Sequence, residues 1–322
     1  RDEFKRLYGD AFVPLMAALD CDTGVGRVAP GRLHEVAVPV LGGVRLPKAF
    51  GSARSSLGRI DNVLSRLVYE ATAMGCGEVE LDEAELKAMR GRNRLPLPDA
   101  FDVIGTSFKV DGRGAGSERD QFLVSGVVGP SGVRTVGRFC YLDARLKEAA
   151  REHVMEEASL RPGVIYAKVA YWPRGRAGNV AVRPSLFDYE VVLSGEAGVK
   201  ADRRISLGDL WVGMRGRRTV LMSQRFGCEV VPRITSAHNP AGRVMRVYSF
   251  LAALQSQGVA AALTWGWRGL SATPRLPRVR SGQVLLSLAQ WNLGPQEWRT
   301  ASGGSEGPDA NGFRRLSDLL EI

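Results

Sequence analysis

Residues 230–240, VVPRITSAHNP, gather Arg233, Thr235, Ser236, His238 and Asn239 within seven positions. Val230 and Val231 read as the end of a strand, Pro232 closes it, and Ser236 to Pro240 is turn chemistry. Arginine offers a fork of N–H donors to a carboxylate or phosphate, and histidine can take and return a proton near neutral pH. The same residues also make an ordinary polar turn, so the loop is either an active-site edge or a turn. A second candidate lies in NVAVRP (179–184). Alternation sets Val180 and Val182 on one face and Asn179, Ala181 and Arg183 on the other. Arg183 is the leading candidate for carboxylate or phosphate binding, with a solvated strand arginine as the competing reading. Asn179 fits a turn cap or a group in the same patch. Arg278, in PRVRSG, stands where a loop enters a strand, and ligand and structural readings are both open.

The elements that must carry these residues change character along the chain. Residues 54–74 place Leu57, Ile60, Leu64, Leu67, Val68 and Ala71 at helical spacing, and LDEAELKAM (81–89) predicts a short second helix. RLPLPDAF (94–101) is a proline-punctuated connector, and Phe122 to Val128 predicts a strand. Asp143 can cap a helix from Ala144 to Ala158. From Val164 the period becomes alternating: VIYAKVAYW, NVAVRP, YEVVL, LWVGM, TVLMS and CEVVP are predicted strands joined by tight turns. A further helix spans Arg243 to Gln257, with Val244, Val247, Tyr248, Leu251 and Leu254 inward. The stretch from Ala301, ASGGSEGPDANG, reads as a flexible loop. The expected fold class is α+β, an antiparallel strand meander framed by helices.

Composition narrows the partners. The net charge is +10, and residues 168–246 hold 14 Lys or Arg against 6 Asp or Glu, so most of the excess sits on this one region. Arg174, Arg176, Arg215, Arg217 and Arg218 fall in its turns. Singly each is surface charge; together they form a basic surface of the kind a polyanion needs. Only 7 of the 44 basic residues are lysine, a bias that GC-rich coding explains, although coding does not explain the excess over acids. Cys21, Cys76, Cys140 and Cys228 form no CxxC pair and the chain has three histidines, which argues against a structural zinc site. Lone cysteines read as small buried hydrophobes in a reducing cytoplasm. No stretch approaches a membrane span, no secretory leader is visible, and the P-loop and GxSxG patterns are absent. Trp265, Trp267 and Trp291, flanked by apolar residues, are expected in core rather than against bases.

At the strand meander the order of short motifs becomes specific. GNVAVRPSLFDYEVVL (178–193) followed by ISLGDLWVGMRGRRTVLMSQRFGCEVVPRITSAHN (205–239) resembles the glutamylation domain of class I lantibiotic dehydratases. The similarity continues through LYGDAFVPLMAALDCDTGVG (7–26), LPLPDAFDV (95–103), VGRFCYLDARL (136–146), YSFLAALQSQG (248–258) and LPRVRSGQVLLSLAQW (276–291). The resemblance implies a cytoplasmic aminoacyltransferase that takes glutamate from glutamyl-tRNA and esterifies it onto serine and threonine side chains of a ribosomally made precursor peptide. It implies no metal or redox cofactor, with glutamyl-tRNA as co-substrate. It also implies that the chain is part of a larger multidomain enzyme, with an elimination domain, or a separate elimination protein, that expels the glutamate; a homodimer is a further expected assembly. Residues 1–300 then read as a central portion of such a domain and 301–322 as a loop and the start of the next segment. In that context Arg183, Arg233, His238 and Asn239 are the expected catalytic set, with His238 as proton acceptor or ester-binding donor. Asn179, Arg174, Arg176, Arg215, Arg217, Arg218 and Arg278 are the expected substrate and tRNA contacts. The alternatives are a peptide aminoacyl-tRNA ligase of the same family and a non-catalytic module that holds peptide or RNA.

Overall fold

The segments that alternate after Val164 form a mixed seven-stranded sheet, ordered Val13–Pro14, Leu210–Arg215, Arg218–Ser223, Cys228–Arg233, Ile165–Ala170, Tyr189–Val192, Arg204–Ile205. The computed structural model describes residues 2–20, 22–25, 59–89, 95–111, 118–173, 184–236, 245–260 and 262–302. The chain divides into two units. Arg1–Ser52, Leu95–Ile104 and Val127–Leu263 make the first; Ala53–Arg94, Gly105–Gly126 and Thr264–Ile322 make the second.

In the first unit the predicted antiparallel meander is present from Leu210 to Arg233. Its tightest corner joins Arg215 to Arg218, which are register partners. Gly216 takes φ of +59° there, a left-handed value that glycine adopts without a Cβ clash. The other half of the sheet differs from a pure meander. Cys228–Arg233, Ile165–Ala170, Tyr189–Val192 and Arg204–Ile205 pair in parallel. Parallel neighbours need a long crossover, and residues 171–188 supply one between the second and third of these strands. The α+β class stands, with both pairing modes in one sheet. One consequence follows for function: three parallel strands release their C-terminal ends along a common edge, into residues 171 onward, 193–198 and 234 onward.

Both faces of this sheet are covered. Helix Arg246–Gln255 presses Val247, Tyr248, Leu251 and Ala252 onto Ala167, Val169, Val191 and Val230. Helix Ala144–Ser159 covers the opposite face with Ala150 and Val154 against Tyr166 and Val231. Its predicted cap is in place: the Asp143 carboxylate accepts the N–H groups of Arg145 (2.8 Å) and Leu146 (3.2 Å). Cys140 is buried, and burial pushes its thiol pKa up, as expected of an inert small hydrophobe. Cys76 is exposed, contrary to the reading of all four cysteines as buried.

In the second unit helix Arg59–Ala73 packs Leu64 and Leu67 on a cluster of Leu81, Trp267, Leu276 and Val279. Trp265 meets Trp267 edge-to-face at 5.6 Å, so both tryptophans serve core, as their apolar flanks predicted. Strands Glu78–Glu80 and Arg278–Ser281 pair in parallel, and Val284–Ser287 joins the latter in antiparallel. Among the described residues, helix Pro295–Ser302 reaches two positions into the predicted loop, whose remainder lies outside them. Among the described residues no helix is long and apolar enough to cross a membrane.

Candidate functional site

A row of charge runs across the parallel half of the sheet. Register places Arg233 opposite Lys168, Lys168 opposite Glu190, and Glu190 opposite Arg204. Strand neighbours in register share a face, so these four side chains leave the sheet on the same side. Glu190 has no exposed surface. Its Oε1 accepts from Lys168 Nζ at 2.8 Å and from the Ser185 hydroxyl at 2.7 Å, and its Oε2 accepts the Gly198 N–H at 2.8 Å. A side chain at 198 would crowd that approach, since a Cβ would stand 3.1 Å from Ser185 Cβ and 3.2 Å from Glu190 Oε1. Burial by itself would raise the Glu190 pKa. The Lys168 ammonium, the Ser185 hydroxyl and the Gly198 amide outweigh it and hold the carboxyl below its ordinary value. The Glu190 carboxyl is therefore ionised at neutral pH.

Lys168 opens into a cleft of about 290 Å³ at the C-terminal edge of the parallel strands, lined also by Tyr141, Trp172, Ser185, Ser194 and Glu196. Residues 195–197 also border a larger cavity of about 710 Å³, which contains Arg204, Arg225 and Asp209. Arg225 is placed by its backbone, whose N–H donates to Asp209 Oδ1 at 2.7 Å, and its guanidinium reaches the Arg204 carbonyl at 3.5 Å. Open sheets with parallel strands bind ligands outside the carboxyl ends of those strands, where loops can reach them. The two hollows occupy that position.

The expected site residues separate into groups. Arg233 is 6 % exposed and closes its strand; its Nε and Nη2 donate to Glu157 Oε1 at 2.8 and 2.5 Å, and its guanidinium lies 5.0 Å from the Tyr166 ring centre. It is engaged by the fold and does not project as a loop arginine. Arg218 is also committed, forming a bidentate pair with Glu229 at 2.7 and 2.6 Å, to which Arg161 adds a 2.9 Å contact. Arg215 and Arg217 are exposed at the hairpin corner. Arg278 belongs to the second unit, where its Nη1 reaches Glu78 Oε2 at 3.3 Å. Arg174, Arg176, Asn179, Arg183, His238 and Asn239 lie outside the described residues. Sequence reasoning missed Lys168, Glu190, Ser185, Arg204 and Arg225. A signal was present in two of these: a lysine inside VIYAKVAYW and a glutamate inside YEVVL interrupt strands that are otherwise apolar.

The depressed pKa of Glu190 makes an acid-stability prediction. Its stabilising contribution is fully present above the ordinary carboxylate value of 4.5 and is lost as pH falls through the lowered folded-state value. Glu229, held low by Arg218 and Arg161 against its own burial, acts in the same direction. Urea midpoints measured from pH 7 down to 3 are expected to fall most steeply below pH 4.5, and Glu190→Gln is expected to flatten that fall. A variant with the parent's pH profile would show that the Glu190 charge does not contribute.

Comparison with known proteins gives a family and a fold. A family model described as "Lantibiotic dehydratase, N terminus" matches residues 1–317. No curated protein sequence matches the chain. Among solved structures, the chain is similar to the tRNA-dependent lantibiotic dehydratase MibB from Microbispora sp. 107891, at 24 % identity and a TM-score of 0.69, covering 99 % of this chain and 30 % of that one. It is also similar to the glutamylation domain TbtB from thiomuracin biosynthesis, at 21 % identity and a TM-score of 0.53, covering 100 % of this chain and 38 % of that one. The same domain bound to 5'-phosphodesmethylglutamycin gives a TM-score of 0.54. At these identities the likeness is one of fold. The chain spans about a third of the length of these structures.

Proposed function

The chain belongs to the lantibiotic dehydratase N-terminal family, and from that premise we propose that it carries the transfer of glutamate from glutamyl-tRNA to serine and threonine side chains of a precursor peptide. The observation that carries this reading is the 2.8 Å Lys168–Glu190 contact at the floor of a cleft on the carboxyl edge of the parallel strands. In the reaction a peptide hydroxyl oxygen attacks the ester carbonyl and the ribose oxygen leaves. The hydroxyl proton passes to that leaving oxygen, so one ester replaces another. Its drive is modest, and the protein's task is positioning, proton transfer and charge stabilisation. No metal or redox group is needed for that balance.

The roles follow from chemistry. A glutamyl side chain brings a carboxylate, and Lys168, which gives one of its three N–H bonds to Glu190, has donors to offer it. Glu190, wholly buried, positions the ammonium and does not touch substrate. His238 is proposed for proton transfer, with Asn239 beside it in sequence, and Arg183 for carboxylate or phosphate binding. The tRNA backbone is proposed to meet the exposed arginines Arg203, Arg204, Arg215, Arg217 and Arg225 together with Arg174 and Arg176. Within that proposal residues 1–300 are a central portion of a glutamylation domain. Release of glutamate falls to a further domain or a separate protein, and a second copy of the chain is a candidate partner.

The test uses the full-length protein with glutamyl-tRNA and a peptide rich in serine and threonine. Mass spectrometry is expected to show gains of one glutamyl residue at internal Ser or Thr. Addition of one residue at the peptide C-terminus would assign a ligase instead. Peptide or tRNA binding with no mass change would assign a holding module.

A further inference from the structure

The seven-stranded sheet parts where its two pairing modes meet. Strands Arg218–Ser223 and Cys228–Arg233 pair at Cys228 with Ser223 and at Glu229 with Met222; beyond these, residues 218–221 and 230–233 continue as strand without pairing to each other. A hollow of about 120 Å³ lies there, lined by Arg218, Thr219 and Leu221 on one side and by residues 230–233 on the other. Arg161 and Arg218 line it and stay partly exposed, so it opens to solvent. It shares no lining residue with the cleft that Lys168 floors.

Parted strands leave backbone groups in need of partners, and here side-chain amides stand in for the missing neighbour. Gln257 Oε1 accepts the Thr219 N–H at 2.9 Å, and its Nε2 donates to the Thr219 carbonyl at 3.0 Å. Gln257 lines the hollow, so this edge of Thr219 faces it. Gln255, which also lines it, caps the other strand: its Oε1 accepts the Ile234 N–H at 2.9 Å. Continuing the register would set Pro232 opposite Thr219, and proline has no N–H for the Thr219 carbonyl. That carbonyl therefore takes its donor from outside the two strands. A carboxamide presenting donor and acceptor side by side is, chemically, a peptide unit. We propose that the gap is a docking slot for an extended segment of the acceptor peptide, which pairs with the Thr219 edge in place of Gln257. This rests on the transfer reading above and adds to it where the peptide backbone is held. Main-chain bonds supply affinity with little dependence on side chains, which suits an acceptor with serine and threonine at several positions.

The experiment measures affinity of the full-length protein for a peptide rich in serine and threonine, and for copies with one N-methylated residue at successive positions. N-methylation is expected to weaken binding at alternate positions along one stretch, because every second N–H of a strand faces its neighbour. Gln257→Ala uncovers the Thr219 edge and is expected to bind the peptide about tenfold more tightly, since docking no longer displaces the glutamine. Thr219→Pro removes the N–H of that edge and is expected to weaken binding by about tenfold. A purely structural role for both residues predicts lower melting temperatures without these opposite changes in affinity. Thermal melting shows which variants are folded, and if Thr219→Pro is not, Gln257→Ala and the N-methylated series decide. Absent peptide binding, a series without alternation, or Gln257→Ala binding no more tightly than the parent overturns the slot. Glutamyl transfer, assayed separately, keeps the two ideas apart. Transfer with Gln257-independent binding sinks the slot alone, whereas alternating, Gln257-dependent binding without transfer sinks the transfer reading and leaves a peptide slot standing.

Discussion

Arg233→Met is expected to cost about 3–5 kcal/mol of folding stability, because it strands Glu157 in the interior without its counter-charge. Glu157 has no exposed side-chain surface and Arg233 has 7 %. Two N–H groups of the guanidinium converge on one carboxylate oxygen, and the planar face rests on Tyr166. In water such a pair contributes little; between a helix and a sheet, removing one partner leaves a charge that neither solvent nor protein satisfies. The reciprocal variant Glu157→Met is expected to be costly in the same direction, since it leaves the Arg233 guanidinium buried without its carboxylate. The double variant Arg233→Met with Glu157→Met, which removes both charges, is expected to recover most of the loss, so that the two single costs do not add. Urea denaturation of the four proteins gives the cycle. If Arg233→Met keeps its unfolding midpoint yet loses glutamyl transfer, Arg233 is the substrate arginine that its loop position suggested. If stability falls and the transfer rate per folded molecule is level, it is a structural tie at the entrance to the loop.

Arg233 also shows where the sequence stops being readable. VVPRITSAHNP reads as a strand that Pro232 closes with the arginine beyond it, but the strand runs Cys228–Arg233, through Pro232, and Arg233 is its last residue. What the local pattern could not supply was the partner, since Glu157 lies 76 positions earlier on a helix. The same holds for Lys168 and Glu190. Each is visible as a polar interruption of an apolar strand, but their contact depends on parallel register between segments joined by a long crossover. Alternation reports which residues share a face and not which strands are neighbours, so it gave the antiparallel meander at Leu210–Arg233 and missed the parallel half. Signals confined to a few residues fared better. The Asp143 cap, the inward face of helix Arg246–Gln255 and the core role of Trp267 were all legible. The order of motifs identified the family, whereas the cleft proposed for the transfer is made by residues that no single motif joins.

Lys168→Met is expected to reduce glutamyl transfer by about a hundredfold or more, the scale seen when one charge-stabilising donor is removed from a reaction centre. Taken alone that loss would be ambiguous, because the substitution also leaves Glu190 buried without its ammonium and lowers stability. The pair must therefore be dismantled from both ends. In Lys168→Met with Glu190→Gln no uncompensated charge remains: a neutral amide can still accept from the Ser185 hydroxyl, and the stability lost in the single variant is expected to return in large part. Transfer is expected to remain as low as in the single variant, since the cleft now has no cation at its floor. Glu190→Gln by itself keeps the lysine and is expected to sit between the parent and the double variant in rate. Lys168→Arg retains charge but carries it on a longer, planar group, so partial activity with a raised KM for glutamyl-tRNA is the expected result. Single-turnover transfer and urea midpoints on the five proteins separate the terms. A double variant that is refolded in stability and transfers at the parent rate would reduce the Lys168–Glu190 pair to a buried strut. A double variant that is equally stable and inactive places the lysine against the glutamyl group.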